Sequence, residues 1–279
     1  MNNCPAARIA FIGGGNMARA LIGGLLRQGS SPQQLRVGEP EAAARAALER
    51  EFAVVTTPDN GAAIDGAAVV VLAVKPQVVA AVLRSLGPHW PRSLPLLLSI
   101  VAGVRIDDLA QLCPSLPIVR AMPNRPALVG AGVTALFAAP TVPVALRPLA
   151  EQVAAAAGRF LWLRAESELD IATALSGSGP AYFFLLAEQL AQAAIALGLE
   201  PATATLLATE TLHGSGVLAH LGSLAEQRAA VTSSGGTTQA ALEFLYAGGF
   251  DALIQGALRA AAARSAELAD LAARSLSES

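Results

Sequence analysis

Residues 8–29 read RIAFIGGGNMARALIGGLLRQG: a short β-rich run, a triple glycine, then an amphipathic helical pattern that stops at Gly29. That order constrains the fold more than any other stretch, because it is how a β–α–β unit opens. Gly13-Gly14-Gly15-Asn16-Met17-Ala18 fits G-x-G-x-x-A. In this pattern the first glycine permits a tight turn, the second lets backbone approach a diphosphate, and a small last residue lets helix and strand pack closely. The anion rests on the N–H groups that open the helix, where the helix dipole also favours negative charge. A glycine cluster alone is weak evidence; the flanking strand and helix give it meaning. The next strand, LRVGE (35–39), ends in Glu39, placed to accept a ribose hydroxyl of a bound dinucleotide. An acid there repels a 2′-phosphate, Pro40, Glu41 and Ala42 follow with no arginine, and Arg36 lies nearby in sequence. Chemistry alone therefore favours NADH.

The same alternation continues. EAAARAALERE (41–51) has strong helix propensity, and strands are expected at FAVVT (52–56), AAVVVLAVKP (67–76), LPLLLSIVAG (94–103), PIVRAMP (117–123) and RFLWL (159–163). Continuous apolar runs of this kind suit strands buried on both faces of a parallel sheet. Strands alternating with helices predict a doubly wound α/β domain over 1–163. Lys75, the sole lysine among 19 basic residues, is expected to end the fourth strand, at the carboxyl edge where such sheets bind ligands. From 165 onward no strand is expected. The stretches 181–199, 201–221 and 250–275 read as helices, giving an all-α second domain over 164–279 with long apolar stripes suited to dimerisation.

Composition sets the remaining bounds. Of 279 residues, 53% are hydrophobic and 14% charged, so part of a sticky surface is expected to be buried between subunits. A net charge of −2 gives no reason to expect nucleic acid or an anionic membrane as partner. The apolar stretch at 94–104 falls short of the ~20 residues that span a bilayer, and without a basic stretch followed by an apolar run at the start no signal peptide is expected. Cys4 and Cys113 read as reduced, incidental thiols, which fits a cytoplasmic protein. His213 and His220 lie on one predicted helix without a zinc-site pattern and read as packing or surface residues, so no metal is expected.

A dinucleotide domain does not name a reaction. Tyr-x-x-x-Lys chemistry fails, because Tyr182 and Tyr246 are followed four residues on by Leu186 and Phe250. A lysine acid/base in the helical domain also fails, since no lysine follows Lys75. Reduction of a C=N bond remains: an iminium enters already protonated and needs chiefly a carboxylate anchor, a hydrogen bond to nitrogen and an accurately placed hydride donor. VTSSGGTT (231–238), small and polar between two predicted helices, supplies the first two.

These residues resemble the pyrroline-5-carboxylate reductase family from end to end. IGGGNMA (12–18), DN (59–60), VVVLAVKPQ (69–77), SIVAGV (99–104), AMPNRPALVGAG (121–132), ALSGSGPAY (174–182) and VTSSGGTT (231–238) fall in family order. The resemblance implies a Rossmann-type doubly wound sheet followed by an all-α C-terminal dimerisation domain. It implies NADPH or NADH as cofactor and reduction of L-1-pyrroline-5-carboxylate to L-proline. Alternatives are another cyclic imino acid as substrate, or a regulatory nucleotide-binding protein without turnover. The implied cofactor contacts are Ile12, Gly13, Gly15, Asn16, Met17, Asn60, Ala73, Val74, Lys75, Pro76 and Ala102, beside Glu39. Ser233 and the backbone of Gly236 and Thr237 would hold the substrate carboxylate, and Thr238 would hydrogen-bond the ring nitrogen as the catalytic residue. The resemblance further implies a homodimer whose partner can supply this loop, and in some members a decamer. Ser234, Arg125 and Ala230 depart from the usual proline, threonine and asparagine. SGSGP (176–180) reads best as small residues that allow a close crossing before a helix begun by Pro180.

Overall fold

The computed structural model describes residues 7–278. The chain forms two compact units, one running to Gly177 and resuming at Ala261, the other Ser178–Ala260.

The first unit is built on an eight-stranded sheet. Its strands are β1 (Ile9–Ile12), β2 (Leu35–Gly38), β3 (Val55–Thr57), β4 (Val69–Leu72), β5 (Leu96–Ser99), β6 (Ile118–Met122), β7 (Gly132–Ala138) and β8 (Gly158–Trp162), in the order β3-β2-β1-β4-β5-β6-β7-β8. β1 to β6 pair in parallel, with Ile9 opposite both Leu35 and Val69. β7 turns antiparallel to β6, and β8 runs parallel to β7. The direction of winding reverses between β1 and β4, the switch point at which open α/β sheets take ligands. β1, β4 and β5 are buried along their whole length, which their unbroken apolar runs require.

The helices of this unit are α1 (Asn16–Arg27), α2 (Ala42–Phe52), α3 (Asn60–Ile64), α4 (Val79–Leu86), α5 (Ile106–Leu112), α6 (Arg147–Ala155) and α7 (Glu168–Ala172). α1 stops where expected: Gly29 takes a left-handed conformation and Ser30 N–H donates back to the Leu25 carbonyl. Phe52, expected to open a strand, instead closes α2, and β3 is correspondingly shorter. β7 was not anticipated.

The second unit holds α8 (Gly179–Ala196), α9 (Pro201–Leu218), α10 (Leu224–Ala230), α11 (Thr237–Ala247) and the start of α12 (Phe250–Glu278). Proline sits in the first turn of both α8 and α9. The end of α12 belongs to the first unit, where Ala269 and Leu276 are buried and Ser265 donates to Asp170 at 2.7 Å. The switch from strand to helix composition at 163 and 164 falls between β8 and α7, both inside the first unit. Leu169 in α7 and Ala174 just beyond it are buried there. No helix among the described residues is long and apolar enough to cross a membrane.

Candidate active site

The carboxyl edge of the parallel strands collects the residues expected around a dinucleotide. β1 runs into Gly13–Gly15, β2 into Glu39, β3 into Asn60 at the start of α3, β4 into Ala73–Pro76 and β5 into the exposed turn at Ala102. Backbone hydrogen bonds fix this edge: Gly13 N–H donates to the Gly38 carbonyl at 2.8 Å, and Ala73 N–H to the Ile12 carbonyl at 2.9 Å. Gly13 has φ +98°, and a β-carbon there would lie 2.7 Å from the Ala73 carbonyl oxygen, so only glycine fits. A β-carbon on Gly15 would meet nothing within 4 Å, so the space before α1 is open.

This edge fits a dinucleotide. α1 has no side-chain cap and no acid in its first turn, so its leading N–H groups keep their affinity for an anion. The Asn60 side-chain oxygen is buried without a hydrogen-bond partner, poised for a hydroxyl donor. Lys75 does not end β4; it is exposed three residues past Leu72, just before the 3₁₀ turn Pro76–Val78. It remains on the same edge.

The Glu39 corner is more organised than its sequence indicates. One carboxylate oxygen accepts from Gly14 N–H at 2.9 Å and the other from Glu41 N–H at 3.0 Å. Arg36 turns to the carbonyl of Ala62, on α3. Arg45, in the first turn of α2, reaches back and donates to the carbonyls of Glu39 and Pro40, both at 2.8 Å. A cation therefore shares the corner with Glu39. Its signal in sequence is an arginine six residues beyond the acid, in the first turn of the following helix.

In the second unit, VTSSGGTT joins α10 to α11. Gly236 N–H donates to the Ser233 carbonyl at 3.1 Å, closing a turn in which Ser234 is second and Gly235 third, with φ +69°. Proline is favoured at the second position of such turns, and Ser234 leaves it less constrained. Gly236 is the N-cap of α11, which has no side-chain cap and no acid in its first turn. The N–H groups of Thr237, Thr238 and Gln239 point out of the helix end without helical acceptors, as a carboxylate requires. Gln239, unnoticed in the sequence, accepts from Gly235 N–H at 2.7 Å and donates to Glu243 at 2.8 Å, holding the turn against the helix. Its position, third in a helix after a glycine cap, is that of a capping-box glutamine. The loop is largely exposed, with Thr238 half-buried.

Other singled-out residues lie apart from this chemistry. Cys113 is buried, donates to the Leu109 carbonyl at 2.9 Å and has its thiol pKa pushed up to about 12 by burial. Cys4 lies outside the described residues. His213 is on α9, but His220 lies past its end at Leu218, so the two do not share a helix. Arg125 is exposed and opens the 3₁₀ turn Arg125–Val129 after β6.

A sheet of this topology with a glycine turn, an acid and an asparagine along its carboxyl edge defines a Rossmann-type dinucleotide-binding protein. Residues 8–103 match a family model described as NADP oxidoreductase coenzyme F420-dependent, and residues 166–268 one described as pyrroline-5-carboxylate reductase dimerisation. The chain is 46% identical to a pyrroline-5-carboxylate reductase of Pseudomonas aeruginosa, over 94% of this chain and 97% of the relative. A solved pyrroline-5-carboxylate reductase from Coxiella burnetii superposes with a TM-score of 0.90 at 39% identity, covering 94% of this chain and 98% of the other. A Plasmodium falciparum pyrroline carboxylate reductase with NADP bound gives 0.80 at 26% identity, covering 95% and 98%. The chain belongs to the pyrroline-5-carboxylate reductase family.

Proposed function

We propose that this protein reduces the C=N bond of L-1-pyrroline-5-carboxylate to give L-proline, using NADPH or NADH. The observation that carries the reading is the joint presence, in a near full-length family match, of the carboxyl-edge cradle and the VTSSGGTT turn at the start of α11. A bound nicotinamide would supply a hydride to the imine carbon, with the C=N electron pair passing to the ring nitrogen. Ile12, Gly13, Gly15, Asn16 and Met17 would hold the diphosphate at the start of α1, and Glu39, Asn60, Ala73–Pro76 and Ala102 would hold the rest of the cofactor. The Ser233 hydroxyl and the N–H groups of Gly236 and Thr237 donate to the substrate carboxylate. The protonated ring nitrogen donates to the Thr238 hydroxyl, which fixes the face presented to the hydride. No strong acid is needed because the proton arrives with the iminium.

The bare apolar helices of the second unit support a homodimer, with the loop supplied to the partner's cofactor; five such dimers in a decamer, and a cytoplasmic location, belong to the same proposal. The test is direct. Purified protein with pyrroline-5-carboxylate should consume NADPH or NADH and yield proline. No consumption with either cofactor would falsify the reading, and a faster rate on the six-membered ring analogue would move the substrate to that imino acid.

A further inference from the structure

MPNRP (122–126) and SGSGP (176–180) take no part in the chemistry above, yet the fold ties them together. Asn124 follows β6 and is 8% exposed. Its side-chain oxygen accepts from Val133 N–H, in β7, at 2.9 Å. Its amide N–H donates to the Ser176 carbonyl at 3.2 Å. Flipping the amide would set donor against donor and acceptor against acceptor, so the two partners fix its orientation.

Ser176 lies in a π-helical turn, Thr173–Gly177, between α7 and α8. In a continuing α-helix its carbonyl would accept from the N–H of residue 180, but residue 180 is proline and has none. Asn124 supplies the missing donor. The turn is held from within as well: Thr173 donates its hydroxyl to the Leu169 carbonyl at 2.7 Å, and Ser176 to the Ala172 carbonyl at 2.8 Å. A β-carbon on Gly177 would come within 3.0 Å of the Met122 methyl, so the turn lies tight against the end of β6. Short π segments cost hydrogen-bond quality and are retained mostly where function uses them.

The geometry points to Asn124 as a positioning residue for the reaction: its bond to Ser176 holds the π-helical turn through which the chain passes from the cofactor-holding unit into the unit that carries Ser233–Thr238. This rests on the proposed function. The chain leaves the first unit at Gly177 and re-enters it at Ala261, inside α12, so the turn is the one crossing not stiffened by a continuous α-helix. A small displacement of groups that must meet a reacting centre costs rate out of proportion to stability.

The test uses Asn124→Asp, which keeps the acceptor for Val133 and removes the donor for Ser176. It should lower kcat by about ten- to a hundredfold, the penalty of slight misplacement, with NADPH affinity in the binary complex unchanged. Pro180→Ala restores an N–H four residues beyond Ser176. Combined with Asn124→Asp it should recover most of the lost rate, a non-additivity that damage to the fold would not show. Should the buried aspartate prevent folding, Asn124→Ala with and without Pro180→Ala makes the same comparison. Amide hydrogen exchange over residues 173–182 gives a readout independent of activity: faster in the single variant, slower again in the double. Wild-type turnover on the imino acid tests the function itself. Unchanged kcat, unchanged exchange, loss of NADPH binding in step with rate, or no rescue by Pro180→Ala would each overturn the role of Asn124.

Discussion

Thr238 sits half-buried in the first turn of α11, and its hydroxyl has no hydrogen-bond partner among the described residues. One hydrogen bond to a charged group is worth about 1.5–3 kcal/mol. Thr238→Ala should therefore lower turnover by one to two orders of magnitude while NADPH affinity, measured by fluorescence titration, stays constant. An unchanged rate would remove Thr238 from the site. Cofactor choice is also decided at single residues. Glu39 opposes a 2′-phosphate, but Arg45 stands beside it on the carbonyls of Glu39 and Pro40. Paired kinetics with both cofactors separate the two effects. Glu39→Ala should erode any preference for NADH, and Arg45→Ala should raise KM for NADPH several-fold with little change for NADH. A parent enzyme that already prefers NADPH would show that the cation dominates. The acid was legible in sequence because its spacing from the glycines is set by one β–α–β unit. Arg45 was not, because its reach depends on where the first turn of α2 places it.

At the scale of elements, β1, β2, β4, β5, β6, β8 and the long helices are legible because each carries its own apolar pattern. β7 is not. GVTALFA offers only a short mixed pattern, and what makes it a strand is its antiparallel pairing with β6 across the turn at 123–131. β3 was misplaced for a related reason: Phe52 is β-prone by type but buries part of its ring against α1, where a β-carbon on Gly23 would lie 3.2 Å from it. Composition marks the polar turn at 231–238 as a loop between helices, but its clasp by Gln239 depends on how the turn folds back on α11. α1 also contains a constraint that propensity misreads. Gly24 looks like a weak point in a helix, yet a β-carbon there would fall 1.9 Å from the Ala156 carbonyl oxygen, beyond the end of α6. Backbone cannot yield as a side-chain tip can, so Gly24→Ala should destabilise by about 1–3 kcal/mol or more despite alanine's better propensity. Thermal unfolding followed by circular dichroism should show a Tm several degrees lower. An unchanged Tm would mean that α1 and the end of α6 can slide apart freely.

For the whole molecule, the second unit cannot account for itself as a single chain. Among its apolar side chains only Ala191 and Ala204 are buried, while Phe183, Phe184 and Leu206 are each about 60% exposed and Phe244 is 81% exposed. Helices this bare need a partner, and residues 166–268 match the dimerisation region of the family. The division of labour between the units then makes a test that depends on which chain supplies each half of a site. Gly15→Asp should block cofactor binding and leave the fold intact, because a β-carbon there meets nothing within 4 Å and the added carboxylate would repel a diphosphate at the start of α1. Thr238→Ala removes the contact proposed to hold the ring nitrogen. Gly15→Asp alone should be inactive, and Thr238→Ala alone should keep about a tenth of the wild-type rate or less. If a site takes its cofactor from one chain and its loop from the other, co-refolding equal amounts yields half heterodimers. In each, one site carries both lesions and the other carries none. Activity should then recover to about a quarter of wild type, as two-fold symmetry dictates. If each chain builds its own site, every heterodimer site carries one lesion and mixing recovers nothing. Size-exclusion chromatography with light scattering confirms that dimers formed, so a null result from failed assembly is distinguished from one that assigns both halves to the same chain.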